Sequence, residues 1–134
     1  MSLAYVAPLL AWLALATGSP RVTIEFTEDS LAVVKKNVAE EKAVLVDVRS
    51  EEEWKQGNLA GAIFLPVTSL RKGGDPAEIA KKLPEDKILY AFCVVGMRAK
   101  MAAKVLTQQG YSVRVLKPGY EELVEAGFKK AEQE

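Results

Sequence analysis

A single cysteine is the residue in this sequence whose type and position best suit covalent chemistry. Cys93 opens a loop whose other members follow in order as Val94, Val95, Gly96, Met97 and Arg98. The loop follows an apolar run typical of a buried strand and precedes a run typical of a helix. Unpaired amides and the positive dipole end of the helix converge there, which favours a thiolate. We therefore predict that Cys93 is a nucleophile.

The same loop offers backbone donors to an anion on or near the sulfur atom. Gly96 permits a backbone conformation that other residues resist, and Arg98 adds a fixed positive charge. For an isolated cysteine a structural role is the simpler interpretation, because free cysteines are among the most buried residues. Here the strand, the glycine, the arginine and the helix together favour a reactive thiol.

The composition excludes several other kinds of site. The chain has 134 residues, a formal net charge of zero, one cysteine and no histidine, which fits one globular domain. Without histidine there is no Ser-His-Asp triad, Cys-His pair or His-based metal site, and one cysteine makes no zinc cluster. Zero net charge and scattered aromatic residues do not favour nucleic-acid binding. We expect neither a metal nor a cofactor.

Strand and helix patterns alternate along the chain and predict an α/β fold. Strands are predicted over residues 22–26, 43–46, 62–65, 87–92 and 112–116. Helices are predicted between them, the first capped by Thr27 or Asp29, and the others over 50–57, 75–83, 98–109 and 120–126. This order indicates a parallel sheet with helices on both faces, whose ligand site lies at the carboxyl ends of the strands.

Three separated motifs resemble the rhodanese-like family of sulfurtransferases. Residues 47–63 carry Asp-Val-Arg, then Glu with an aromatic residue, then Gly-Asn-Leu-Ala-Gly-Ala-Ile, with Pro66 following. The Cys93 loop resembles the six-residue active loop of single-domain sulfurtransferases, and residues 110–119 resemble the closing segment. The resemblance covers about residues 22–128 and departs at Asn58, where the family has histidine.

The resemblance implies five mostly parallel strands with helices on both faces. It also implies that Cys93 carries a persulfide, taking a sulfane sulfur from a donor and passing it to a thiol or a cyanide-type acceptor. Residues 94–98 would then bind the substrate, and a protein persulfide is one candidate partner. No cofactor is implied. On the neighbouring turn, Asp47 and Arg49 are expected to brace the loop by hydrogen bonds and an ion pair, with Glu53 a candidate partner.

The length and composition of the loop narrow the chemistry further. Cysteine-dependent phosphatases place their arginine one residue further on, where this chain has Ala99, so a phosphatase is disfavoured. Val94 and Val95 are apolar, whereas thiosulfate-using members often carry Arg or Lys in the loop. A loop whose only cation is Arg98 attracts a dianion weakly, and we expect thiosulfate to be a poor donor.

Two other functions stay open from the sequence. One is a rhodanese-like binding or regulatory module, in which the loop recognises a partner and turnover is incidental. The other is a redox sensor in which Cys93 forms a sulfenic acid, but the chain has no second cysteine to resolve it. The presence of Cys93 favours the enzyme over the module.

The first twenty residues carry no charge and are set apart from residues 21–134, which we assign to the rhodanese-like domain. Leu3 to Ala16 is an apolar run shorter than the about 20 residues of a spanning helix. Three interpretations stay open: a helix buried against the domain or a second copy of it, a signal peptide, and the remnant of a membrane anchor. Whether the protein forms a homodimer, whether it associates with a membrane and in which compartment it lies therefore depend on which interpretation of this segment is correct.

Overall fold

The structure is a computed structural model that describes residues 23–132. Its strands are β1 (Ala43–Asp47), β2 (Ile63–Phe64), β3 (Ile88–Phe92) and β4 (Ser112–Val115). Its helices are α1 (Leu31–Ala39), α2 (Glu51–Gln56), α3 (Pro76–Lys82), α4 (Met97–Gln108) and α5 (Tyr120–Glu125), with a 3₁₀ segment over Val67–Gly73. Residues 1–20 and the interpretations offered for them lie outside this description.

The four strands form a parallel sheet in the order β2-β1-β3-β4. The α/β class and the parallel sheet are confirmed, but the described residues contain four strands rather than five. Residues 23–26 add only a single parallel bridge from Phe26 to Val115 at the edge of β4. The Thr27 amide completes this bridge by donating to the Val115 carbonyl at 2.8 Å. Thr27 Oγ1 then accepts a hydrogen bond from the Asp29 amide as the chain leads toward α1.

The core has two halves, one on each face of the sheet, because successive residues of a strand point to opposite faces. Leu89 and Ala91 of β3 pack with α3 and α4, in the same cluster as Cys93. Tyr90 and Phe92 point to the other face and pack with α1 and α5. Helices therefore cover both faces, as the sequence predicts.

The cap of α1 differs from the prediction. Ser30, not Thr27 or Asp29, accepts the hydrogen bond from the Val33 amide. Asp29 instead accepts hydrogen bonds from the buried Tyr90 hydroxyl at 2.7 Å and from Arg114 at 2.6 Å. These bonds lower the pKa of Asp29, with the Tyr90 bond the larger cause. The carboxylate thus ties the start of α1 to β3 and β4.

Within the described residues, no helix combines the length and apolar character needed to cross a membrane.

Candidate active site

Cys93 lies directly beyond β3, at the carboxyl edge of the sheet where the sequence predicts the site. Cys93 is 1% exposed, and its Sγ accepts a hydrogen bond from the Gly96 amide at 3.1 Å. The loop members on either side of that amide are solvent-exposed: Val94, Val95 and Met97. The sulfur therefore lies beneath an exposed apolar loop and accepts a hydrogen bond from the backbone. Because Cys93 is buried, only a small group of a substrate can reach the sulfur.

Gly96 is required by its backbone conformation and by its neighbours. It caps α4 with a φ of 93°, which a side chain resists. A Cβ at this position would also overlap the ring of Phe26. The Lys100 ammonium lies 4.1 Å from the centre of the same ring. The sequence predicts the conformational role of Gly96, but the approach of Phe26 arises only from the fold.

Arg98 is held by a carboxylate from a different turn of the chain. Its guanidinium donates to Glu53 at 2.5 and 3.2 Å. The Arg98 hydrogen bond is the largest cause that lowers the pKa of Glu53, to about 2, and Glu53 in turn raises the pKa of Arg98. Cys93 raises the pKa of Arg98 further by charge and hydrogen bonding. The charge of Arg98 is therefore coupled to both Glu53 and the candidate nucleophile.

Glu53 also belongs to the capping box that starts α2. Its carboxylate accepts bonds from the Ser50 amide at 3.2 Å and hydroxyl at 3.0 Å, and its own amide donates back to Ser50. The capping box is confirmed, and Gly57 ends α2 as predicted. The expected pair between Arg49 and Glu53 is wrong, because Arg98 occupies the Glu53 carboxylate.

Asp47 and Arg49 form their own ion pair within one turn. Arg49 Nε and Nη2 donate to the Asp47 carboxylate at 3.0, 3.1 and 2.8 Å, and Nη2 also donates to the Gly57 carbonyl at 2.8 Å. The guanidinium carbon of Arg49 lies 4.1 Å from the centre of the Tyr120 ring. Both charged side chains are almost fully buried. The pair fixes the shape of the turn between β1 and α2.

That turn lies beside the Cys93 loop because β1 and β3 pair in register. Asp47 is opposite Phe92, and the Val48 amide donates to the Phe92 carbonyl at 3.1 Å. The loop is also held from the other side, since the Tyr120 amide donates to the Cys93 carbonyl at 3.0 Å. Tyr120 was not a sequence candidate, because nothing in its local pattern marks a contact with residues so far away along the chain.

The turn before α5 packs directly on the loop. A Cβ at Gly119 would overlap the backbone of Val94, so only glycine fits this contact. Between these segments lies a cleft of about 230 Å³. Val94 and Glu53 line it together with Glu121 and Glu122 from the first turn of α5. The two α5 carboxylates are functional candidates that sequence analysis missed, since an exposed acidic first turn is ordinary helix capping.

Among residues 23–132, no group of three or more His, Cys, Asp or Glu side chains is placed to hold a metal ion.

A family model described as a rhodanese-like domain matches residues 30–126. The chain therefore belongs to the rhodanese-like domain family. YtwF of Bacillus subtilis (strain 168), provisionally named a sulfurtransferase, is 33% identical over 89 residues, which cover 66% of this chain and 81% of YtwF. YrkF of the same organism, provisionally named a sulfur carrier protein, is 31% identical over 85 residues, and the match spans 43% of its length.

Solved structures show the same relationship. The human single-domain sulfurtransferase TSTD1 is 32% identical and superposes with a TM-score of 0.62, covering 72% of this chain and 94% of that one. The Saccharomyces cerevisiae single-domain sulfurtransferase RDL2 is 28% identical with a TM-score of 0.59, covering 76% and 95%. The chain thus has the fold of the single-domain sulfurtransferases.

Proposed function

We propose that this protein is a sulfurtransferase that carries a sulfane sulfur on Cys93 as a persulfide. The observation that carries the proposal is the hydrogen bond from the Gly96 amide to Cys93 Sγ at 3.1 Å, with Arg98 beside the sulfur. A backbone donor and a guanidinium at one sulfur stabilise a negative charge there. The family membership of the chain supports the same chemistry.

The reaction proceeds in two displacements at sulfur. The Cys93 thiolate attacks the sulfane sulfur of the donor, a Cys93–sulfur bond forms, and the donor's S–S bond breaks. The electron pair leaves with the remaining donor, as a thiolate or as sulfite. An acceptor thiolate or cyanide then attacks the terminal sulfur and releases the Cys93 thiolate. The sulfane sulfur moves without its bonding pair at each step, so no outside oxidant or reductant is needed.

Each loop residue has a part in this scheme. Gly96 donates its amide to Sγ, and Arg98 stabilises the negative charge on the sulfur atoms. Val94, Val95 and Met97 form the apolar surface that the substrate meets. Asp47 and Arg49 hold the adjacent turn and do not touch the sulfur.

The apolar loop supports a small-molecule or protein persulfide as the donor rather than thiosulfate. Arg98 is already bonded to Glu53, so it offers a dianion less attraction than an unpaired arginine would. We expect a low catalytic efficiency with thiosulfate and cyanide. Efficient turnover of this pair would contradict this part of the proposal.

Mass spectrometry of the intact protein after incubation with inorganic polysulfide tests the proposed function. The wild type should gain the mass of one sulfur atom, and the gain should disappear on adding cyanide with the release of thiocyanate. Cys93→Ser and Cys93→Ala should fold, as judged by circular dichroism, without the gain.

The alternative is a binding or regulatory module, which the exposed Val95 and Met97 also suit. If the folded wild type gains no sulfur from polysulfide or from a low-molecular-weight persulfide, the sulfurtransferase is wrong and the module is favoured. A gain that persists in both cysteine variants would place the sulfur elsewhere and would also overturn the proposal.

A further inference from the structure

We propose that the cleft beside the Cys93 loop, which Val94 lines, selects acceptor thiols that carry a positive charge near the sulfur, with Glu121 and Glu122 as the specificity-determining residues. The inference rests on the proposed function, since it concerns the second displacement at that same site. It assigns a role to two carboxylates that the transfer chemistry itself does not use.

The fold places these carboxylates at the entrance to the loop. Gly119 packs against the backbone of Val94, and the next residue, Tyr120, donates its amide to the Cys93 carbonyl. The chain continues directly into Glu121 and Glu122, whose side chains are exposed and line the cleft with Val94. A substrate in this cleft therefore meets two carboxylates on the α5 side.

Arg49 is the cation that lines this cleft, but each arginine of the site is already paired with a carboxylate. Arg49 is bonded to Asp47, and Arg98 is bonded to Glu53. Within the described part of the chain, Glu121 and Glu122 take part in none of the ion pairs.

Lys117, in the turn before α5, is exposed and does not line the cleft. The cleft is therefore acidic, and a bound persulfide adds further negative charge. An anionic acceptor is repelled and a cationic acceptor attracted.

Three thiols of the same two-carbon length test this selectivity: 2-aminoethanethiol as the cation, 2-mercaptoethanol as the neutral probe and 2-mercaptoethanesulfonate as the anion. Wild type is loaded with inorganic polysulfide, freed of excess donor, and mixed with each thiol at low ionic strength. Mass spectrometry follows the loss of the Cys93 persulfide. Comparing variants for one thiol at a time cancels the intrinsic reactivity of that thiol.

The double variant Glu121→Gln/Glu122→Gln should slow discharge by the cationic thiol about two- to fivefold and speed discharge by the sulfonate similarly. Discharge by the neutral thiol should not change. Added salt at about 0.5 M should reduce both effects in the wild type, because it screens exposed charges.

The matched control is Glu41→Gln/Glu85→Gln, which removes the same charge from two exposed turns at the amino-terminal edge of the sheet. In this control, the rate at which each of the three thiols discharges the persulfide should be the same as in the wild type. Equal effects in the two double variants, or no effect in either, would overturn the inference while leaving the persulfide intact. A wild type that never loads sulfur would overturn both this inference and the proposed function.

Discussion

Two arginine–carboxylate pairs involve the turn after β1 and the start of α2, and they differ in their separation along the sequence and in burial. Arg49 binds Asp47, two residues away, and the two side chains are 6% and 0% exposed. Arg98 binds Glu53 across 45 residues of sequence, and these side chains are 33% and 30% exposed. Both pairs join a guanidinium to a carboxylate, and each gives one residue to the cleft, Arg49 from the first pair and Glu53 from the second. Only the second pair includes a residue of the Cys93 loop, Arg98.

The difference separates stability from chemistry. The buried pair has a further bond to Gly57 and a contact with Tyr120, so it fixes the shape of its turn, and its Arg49 member also lines the cleft. We expect the pair that joins α2 to α4 to influence the charge at Cys93 through Arg98, while solvent screening limits its effect on folding. Changes to the first pair should therefore alter stability, and changes to the second should alter sulfur transfer.

Removing one partner of the buried pair should give the largest effect. Asp47→Asn leaves the Arg49 guanidinium buried without its counter-ion, and we expect a loss of about 3 kcal/mol in the free energy of unfolding. Glu53→Gln, which makes the matched change in the exposed pair, should cost about 1 kcal/mol. Urea unfolding at pH 7 measures both. Equal losses would show that burial does not distinguish the two pairs.

Replacing each arginine with lysine should separate the roles without removing a charge. Arg49→Lys loses the two-pronged contact with Asp47 and the stacking on Tyr120, and should destabilise the fold by about 2 kcal/mol.

Arg98→Lys should cost less than about 1 kcal/mol in stability, because its pair is partly exposed. It should instead slow persulfide formation severalfold, whereas Arg49→Lys should leave that rate nearly unchanged. Urea unfolding and the rate of sulfur gain on Cys93 measure the two effects. If Arg49→Lys slowed persulfide formation and Arg98→Lys lowered the free energy of unfolding more, the roles that we give to the two pairs would be reversed.

Acid should reveal the smallest effect, in the exposed pair. The pKa of Glu53 is lowered from 4.5 to about 2, so its stabilisation is complete above about pH 4.5 and is lost as the pH falls through 2. Partial exposure reduces the expected contribution to about 1 kcal/mol.

The difference in unfolding free energy between wild type and Glu53→Gln should therefore shrink by about 1 kcal/mol from pH 6 to pH 2. Other acidic groups, Asp29 among them, titrate in both proteins and cancel in this comparison. Urea unfolding at a series of pH values provides the measurement. A constant difference would mean that the Arg98 bond does not stabilise the Glu53 carboxylate.

Local sequence patterns were sufficient to predict most elements of the fold. The apolar run before Cys93, the Ser50–Glu53 capping box and the Asp75-Pro76 start of α3 depend on near neighbours, and the structure confirms each. The predicted first strand shrank to the Phe26 bridge, because a local alternating pattern does not show whether an edge segment aligns with its neighbouring strand.

The candidate site was only partly predictable for the same reason. Cys93, Gly96 and Arg98 share one loop, so their spacing alone indicated chemistry at a helix start. The partner of Arg49 was predicted incorrectly, because local spacing favoured Glu53, whereas Arg49 binds Asp47 and the Glu53 carboxylate binds Arg98, 45 residues away. Glu121 and Glu122 gave no signal, because only the contact between Gly119 and Val94 brings them to the loop.

The sequence by itself determined the candidate nucleophile, the loop that surrounds it and the α/β class. These depend on residues within a few positions of one another, whose backbone preferences and hydrogen bonds act locally. Only the tertiary structure decided which carboxylate neutralises which arginine, and which side chains form the cleft wall. Those outcomes depend on the register of β1 against β3 and on the packing of the turn before α5, which bring distant residues together.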